Sequence, residues 1–222
     1  MPRIFDLVLS IFALIVLLPL LILIVIVLLI TGENKVFYLQ ERIGYKNKKF
    51  KIIKFVTMLS DSPNMGTGSL TLKNDPRVLP FGVFLRKTKI NELPQILNII
   101  RGDLSIVGPR PQMLVDFKKY SEKVQNIIYN VKPGLTGIGS IVFRDEESLI
   151  SNKSNYEDPH IFYKREIAPY KGQLEMWYQK HRSIFLDFKL IFLTVWVIVF
   201  PNTKIYEKWF VDLPKRNFKN EL

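Results

Sequence analysis

The sequence predicts an α+β protein: one apolar N-terminal helix, then a small, mostly helical domain with short strands. Three observations predict it. Residues 7–30 form a run of 24 positions without a charge. The rest of the chain alternates apolar stretches of strand and helix length with Gly, Pro, Asn and Asp punctuation. At 48% apolar and 23% charged over 222 residues, the composition is that of a folding chain. The natural division is residues 1–32 as a membrane element and 33–222 as the folded domain.

Composition excludes several chemistries. There is no cysteine, which removes disulfides, thiolate zinc sites, iron–sulfur clusters and a cysteine nucleophile. The two histidines, His160 and His181, are too few for a histidine-ligated metal site. Lys and Arg total 32 against 20 Asp and Glu, a net charge of +12. Within 1–32 Arg3 and Asp6 cancel, so 33–222 carries the whole excess. A basic domain tethered to a membrane faces anionic headgroups or phosphorylated ligands. No basic recognition helix, zinc finger or aromatic RNA-binding signature accompanies the charge, so nucleic acid is not the expected partner.

At ~1.5 Å rise per residue, 24 helical positions span about 36 Å, more than the roughly 30 Å hydrocarbon core. A signal peptide is a poor reading, because its apolar core is usually ~7–15 residues. No small-x-small cleavage pattern precedes Thr31-Gly32-Glu33 either. Pro19 sits in the middle of the run, where it removes a hydrogen bond and predicts a kink. Both flanks are cationic, Arg3 on one side and Lys35, Arg42, Lys46, Lys48 and Lys49 on the other. Cationic flanks prefer the cytoplasm. Composition alone puts a kinked single span ahead of a helix that dips into one leaflet and returns.

Val36–Leu39 and Phe50–Val56 read as two strands around a Gly44-Tyr45-Lys46-Asn47 turn. Residues 60–76 are rich in Ser, Asn, Gly, Asp and Pro and read as a long, mobile loop. Gly66-Thr67-Gly68 lacks the third glycine of a dinucleotide fingerprint, and neither a Walker lysine motif nor Asp-x-Asp occurs. Residues 91–102 predict a helix with Asn91 as N-cap, Glu92 in the first turn and Pro94 at the third helical position. Leu93, Ile96, Leu97 and Ile100 form its buried face, and Gly102 its C-terminal cap. Arg110, clamped between Pro109 and Pro111, sits on a stiff backbone suited to bidentate phosphate binding, or is a surface arginine in a turn.

Residues 112–130 predict an amphipathic helix, and 134–143 a glycine-bearing loop leading into a strand. Arg144-Asp145-Glu146-Glu147 reads as a solvated charged turn. In Ile184–Phe200, Asp187 and Lys189 leave only 11 consecutive uncharged positions, from Leu190, too few to span. Phe185, Phe188, Phe192, Trp196 and Phe200 share one stripe, flanked by Trp177, Tyr178, Trp209 and Phe210. This reads equally as an interfacial amphipathic helix or as a core helix with an aromatic face.

Collinear motifs resemble the bacterial sugar transferase family, the monotopic phosphoglycosyl transferases. They are Arg3-Ile4-Phe5-Asp6, Gln40-Glu41-Arg42-x-Gly44, Phe50 to Phe55 with Thr57-Met58, and Leu85-Arg86-Lys87-Thr88. Glu92-Leu93-Pro94-Gln95, Asn98 to Pro111, Lys132 to Gly137 and Leu186-Asp187-Phe188-Lys189 complete the set, over residues 3–200. The resemblance implies transfer of sugar 1-phosphate from a UDP-sugar to undecaprenyl phosphate, releasing UMP, with Mg²⁺ as cofactor. It implies a re-entrant N-terminal helix broken near Pro19 and both ends at the cytoplasmic face of the bacterial inner membrane. It is compatible with a homodimer. Inner-membrane lipid is the implied surroundings.

The resemblance also implies site residues. Lys54, Arg86 and Arg110 carry over as phosphate-binding groups and Asp187 as a supporting carboxylate. Family members use an Asp-Glu pair whose Asp attacks the β-phosphate, with the Glu close to Mg²⁺. The Glu is Glu92, but the Asp falls on Asn91, an amide and a very poor nucleophile. Three readings stand: Glu92 or another carboxylate such as Asp187 or Asp145 takes over, Asn91 positions substrate for a single displacement, or the chain is an inactive, lipid- or partner-binding scaffold. Three more departures are Leu18 for a serine before the proline, Val56 for a basic residue, and Phe143–Glu147 for a Gly-Arg-Asn stretch. The last leaves the sugar open.

Overall fold

The computed structural model describes residues 1–31, 33–68, 70–154, 156–201 and 203–216. The first helix, α1 (Arg3–Thr31), is the one described helix long and apolar enough to cross a membrane. Its helical backbone continues through Pro19, so the expected break is not an interruption of the helix. A proline removes one bond while the turns on either side persist. Both ends of α1 lie against the folded domain. Near one end Asp6 and Ser10 are buried, near the other Ile24 and Leu28. Most of its remaining side chains, Phe12 and Ile15 among them, are exposed and apolar.

Strands β1 (Phe37–Ile43) and β2 (Lys49–Phe55) form an antiparallel hairpin, Phe37 opposite Phe55 and Ile43 opposite Lys49. The first strand runs four residues beyond the predicted Leu39, because Gln40 to Ile43 pair across to Lys49–Ile52. The turn holds Lys46 and Asn47 at positive φ. After it, the described residues of 60–76 form a loop with a short 3₁₀ turn (Ser62–Asn64), wrapped around a single side chain. Arg77 is 3% exposed and donates to the carbonyls of Ser62 (3.0 Å), Met65 (2.8 Å), Gly68 (3.0 Å) and Leu70 (2.8 Å). It also pairs with Asp75 at 2.6 Å.

Helix α2 (Pro80–Lys87) follows with a proline in its first turn. The predicted helix at 91–102 is two elements, a 3₁₀ turn (Ile90–Gln95) and α3 (Ile96–Arg101). Asn91 is therefore not an N-cap. Lys89, in the left-handed region at φ 62°, occupies that position, and Asn91 lies inside the turn. Gly102 does close α3, at φ 93°. Asn98, fully buried, ties α3 to the hairpin: it accepts from the Ile53 N–H (2.9 Å) and donates to the Lys51 carbonyl (2.8 Å).

Strand β3 (Ser105–Val107) runs parallel to β4 (Gly134–Thr136). The expected amphipathic helix between them divides into α4 (Leu114–Phe117) and α5 (Glu122–Ile127), separated where Ser121 turns extended. The expected loop-then-strand at 134–143 is the reverse, β4 and then α6 (Ile138–Val142). Close packing explains it: a Cβ on Gly134 would collide with the Gly108 nitrogen, so the two glycine backbones meet directly.

Helices α7 (Glu146–Lys153), α8 (Pro159–Phe162), α9 (Ala168–His181), α10 (Ile184–Val199) and α11 (Ile205–Trp209) complete the chain. Glu146 and Glu147 of the predicted charged turn are thus the start of α7. Ser183 caps α10 by accepting from the Leu186 N–H at 3.1 Å. The main core gathers Ile138, Ile167, Leu174, Leu190 and Leu193 from α6, α9, α10 and the π-helical turn before α9. Each fully buried Leu or Ile adds about 1.5–3 kcal/mol. Trp177, Tyr178 and Phe210 join this core, so of the two readings these residues take the core one. Phe185, Phe188 and Phe192 remain exposed on the other side of α10, and Trp209 stacks on Phe192 at 5.6 Å.

Two charged residues of the Arg3–Asp6 motif dock α1. Arg3 donates to the Ile100 carbonyl (2.6 Å) and to the Ile99 carbonyl (2.5 Å), which also accepts from the Gly102 N–H, at the C-terminal end of α3. Asp6, 1% exposed, accepts from the Ser105 hydroxyl and the Ile106 N–H, both at 2.9 Å.

Candidate active site

A cavity of about 710 Å³ opens between the hairpin, the 3₁₀ turn, the Arg110 loop, α6, α7 and the second half of α10. The 60–76 loop supplies Ser60, Ser62, Pro63, Gly68, Leu70 and Thr71 to its wall. Eight Lys and Arg residues line it against four Asp and Glu, an excess of four positive charges. Such a cavity selects an anion.

The basic groups converge on one carboxylate. Glu92 Oε1 lies 2.5 Å from Arg110 Nη2 and Oε2 lies 3.1 Å from Nη1, a bidentate clamp. Lys54 Nζ approaches Oε1 to 3.6 Å. Local structure explains the meeting. Asn98 fixes β2, which carries Lys54, against the segment that follows Glu92. The left-handed turn at Lys89 aims the 3₁₀ turn back over the strand.

The charges answer to this arrangement. Burial alone would raise the Glu92 pKa, but Arg110 and Lys54 outweigh it and hold the carboxyl well below the usual range. Glu92 is therefore ionised at neutral pH. Burial pushes Lys54 down to about 7, with Arg42, Arg110 and Arg86 adding and Glu92 opposing. Lys89 is lowered too, chiefly by burial. Arg110 is raised, above all by Glu92.

Asn91 lines the same cavity, 6% exposed, and its Oδ1 has no hydrogen-bond partner among the described residues. Arg86 lines the cavity as well but pairs with Glu147, while Glu146 pairs with Lys171. Glu146 and Glu147 therefore face the site, where the sequence predicts a solvated turn, while Asp145 stays exposed. Val56 adds apolar wall where a cation was expected.

Asp187 lies elsewhere. It is 1% exposed, bonded to the Tyr178 hydroxyl (2.7 Å) and the Met1 amine (3.0 Å), and is not part of the cavity wall. Pro19 is in α1, away from the wall. Sequence reading missed Lys89, Lys171 and Arg77. Only the motif context around Arg42 carried any signal for that further cavity cation.

Metal chemistry is limited by the donors present. No group of three His, Asp or Glu side chains gathers among the described residues. Glu92 is a single carboxylate beside a phosphate-sized basic cluster. That fits a magnesium ion held mainly by substrate phosphates and water, and not a protein cage.

The chain is 33% identical over 198 residues to an undecaprenyl-phosphate glucose phosphotransferase of Komagataeibacter xylinus, matching 87% of this chain and 35% of that protein. It is 31% identical over 193 residues to the UDP-glucose:undecaprenyl-phosphate glucose-1-phosphate transferase of Escherichia coli K12, matching 86% of this chain and 38% of that one. This chain thus spans little more than a third of either protein. An uncharacterized sugar transferase, EpsL of Bacillus subtilis 168, is 34% identical over 193 residues, with 87% of this chain and 84% of EpsL matched. Residues 1–201 match the model of the bacterial sugar transferase family, and the chain belongs to that family.

Proposed function

We propose that the chain moves a sugar 1-phosphate from a UDP-sugar to undecaprenyl phosphate, releasing UMP, at the start of a bacterial surface glycan. The observation that carries this reading is the convergence of Lys54 and Arg110 on the ionised Glu92 inside a cationic cavity. The names of the relatives supply the substrates.

A bound diphosphate competes with Glu92 for Lys54 and Arg110 and frees a carboxylate beside the β-phosphorus. Glu92 then takes the role that the family pattern gives to an aspartate at position 91. Its oxygen attacks the β-phosphorus, and the diphosphate P–O bond breaks with its electrons leaving on UMP. The acceptor phosphate oxygen then attacks the same phosphorus and expels the Glu92 carboxylate. Neither step needs an external proton. Asn91 lacks a charge but offers its amide to the donor in the cavity wall. Bound magnesium would offset the diphosphate charge, with Glu92 as its protein contact.

Topology follows the same reading. α1 re-enters the side from which it came, with residues 33–222 on the cytoplasmic face of the inner membrane. The docking of both Arg3–Asp6 and Ile24–Leu28 onto one domain supports this. Exposed Phe185, Phe188 and Phe192 on α10 support an interfacial contact.

The test is UMP release by the purified protein in nanodiscs with Mg²⁺, a panel of UDP-sugars, and polyprenyl phosphate present or absent. Lipid-dependent turnover is expected. Equal turnover without lipid, or none with any UDP-sugar, overturns the reading. Asn91 favours a second reading, a scaffold that binds lipid phosphate without turnover. A silent parent rescued by Asn91→Asp would establish it.

Lys54 makes the reaction pH-dependent. Its charged form binds the diphosphate and is lost as pH rises through about 7. kcat/KM for the donor, which reports the free enzyme, is expected to fall by about tenfold per pH unit above that point. Lys54→Arg keeps its charge, so its profile is expected to stay flat between about pH 7 and 8.5. A parallel decline in both proteins would assign the pH dependence to another group.

A further inference from the structure

Behind the cavity wall lies a buried carboxyl that the mechanism does not use. Glu175, on α9, is 3% exposed, and its Oε2 has no hydrogen-bond partner among the described residues. Its contact with the site is the backbone of Arg110, whose N–H donates to the Glu175 carboxyl. On the other side of the same residue, the Arg110 carbonyl accepts from the Tyr129 hydroxyl at 2.9 Å. Tyr129 is 1% exposed and also accepts from the Gln112 N–H at 2.9 Å. Gly139 completes the enclosure, since a Cβ there would collide with Glu175 Oε1.

We propose that Glu175 and Tyr129 are positioning residues that hold Arg110 by its backbone N–H and carbonyl and so aim its guanidinium at the phosphate site. The inference rests on the reading of Arg110 as a phosphate-binding group. Pro111 keeps Arg110 in the extended region, but neither proline fixes the Arg110 φ or its exact orientation within that region. A guanidinium stands several bonds from its Cα, so a small rotation there becomes a large displacement at Nη1 and Nη2. Two hydrogen bonds at opposite ends of the residue remove that freedom.

The cost of the arrangement points the same way. A buried carboxyl with one bonded oxygen is unfavourable, and burial pushes Glu175 up to about 8, partly opposed by the Arg110 N–H and Lys171. An apolar residue there would pack without that cost and leave the Arg110 N–H unpaired. Lys171, one turn earlier on α9, is taken by Glu146 and makes no hydrogen bond to Glu175 Oε2.

The experiment is calorimetric UDP binding to the full chain in nanodiscs, with each substitution made alone and in an Arg110→Ala background. Glu175→Leu and Tyr129→Phe are each expected to weaken UDP about tenfold. Glu175→Gln keeps an acceptor oxygen and is expected to bind UDP like the unsubstituted chain. In the Arg110→Ala background the same substitutions are expected to change affinity by less than about twofold, because nothing remains to be aimed. Equal weakening in both backgrounds, or none in either, overturns the proposal. Tyr129→Phe, which removes one oxygen, carries the test alone should Glu175→Leu fail to fold. Failure of UDP to bind the unsubstituted chain would overturn the functional reading itself, a separate outcome from UDP binding that ignores the clamp.

Discussion

Glu92→Gln is expected to lower UMP release by at least about 10³-fold, the scale of loss when a covalent carrier group is removed. The substitution keeps the shape of the side chain and one acceptor oxygen, but not the charge. The carboxylate is held ionised by Arg110 at 2.5 Å and Lys54 at 3.6 Å. Its neutral replacement cannot attack phosphorus, and it leaves two cations of the cavity wall without their counter-charge. Donor binding is expected to survive or tighten, because the diphosphate no longer competes with a carboxylate for those cations. The measurement is UMP release alongside UDP affinity, with mass spectrometry after an acid quench of protein given donor without acceptor. The unsubstituted chain should then carry a phosphosugar on the peptide that contains Glu92. Full activity in Glu92→Gln, or an adduct on another residue, would remove Glu92 from the carrier role.

The second large effect is on the wall of the cavity. Arg77→Met is expected to destabilise the protein by about 3–5 kcal/mol, the range for breaking a buried ion pair by deleting one partner. Asp75 would lose its partner, and the Ser62, Met65, Gly68 and Leu70 carbonyls would lose their common donor. Those carbonyls set the course of the loop that brings Ser60, Pro63 and Leu70 to the cavity. Thermal unfolding measures the stability loss, and limited proteolysis within 60–76 measures the loop. A loop as resistant to cleavage as before would show that its course is set by its own turns.

The contrast between those two residues describes what could be read in advance. Glu92, Lys54, Arg86 and Arg110 were legible because they stand in spaced motifs. Even there, the sequence did not say that Lys54 and Arg110 share one carboxylate, or that Arg86 is taken by Glu147. Arg77 was passed over because its partners are mostly backbone carbonyls, which every residue has. Asn91 was read as a helix cap from local pattern alone. A left-handed residue at Lys89 moved the start of the turn and buried the amide instead. The pair Glu146-Glu147 looked solvated because like charges in a row usually are. Lys171 and Arg86, 25 and 61 residues away in the chain, draw it inward.

By itself the sequence determined the apolar helix, the hairpin, the Gly102 stop of α3, the family motifs and the basic excess. All of these depend on near neighbours or on composition, through periodicity, φ restriction and charge sum. Only the tertiary structure decided where α1 docks, which faces of α9 and α10 are core, and which charges meet. Those outcomes depend on contacts between residues as far apart as Asp6 and Ser105. Such contacts form only when burying the apolar faces offsets the chain entropy lost in bringing distant segments together.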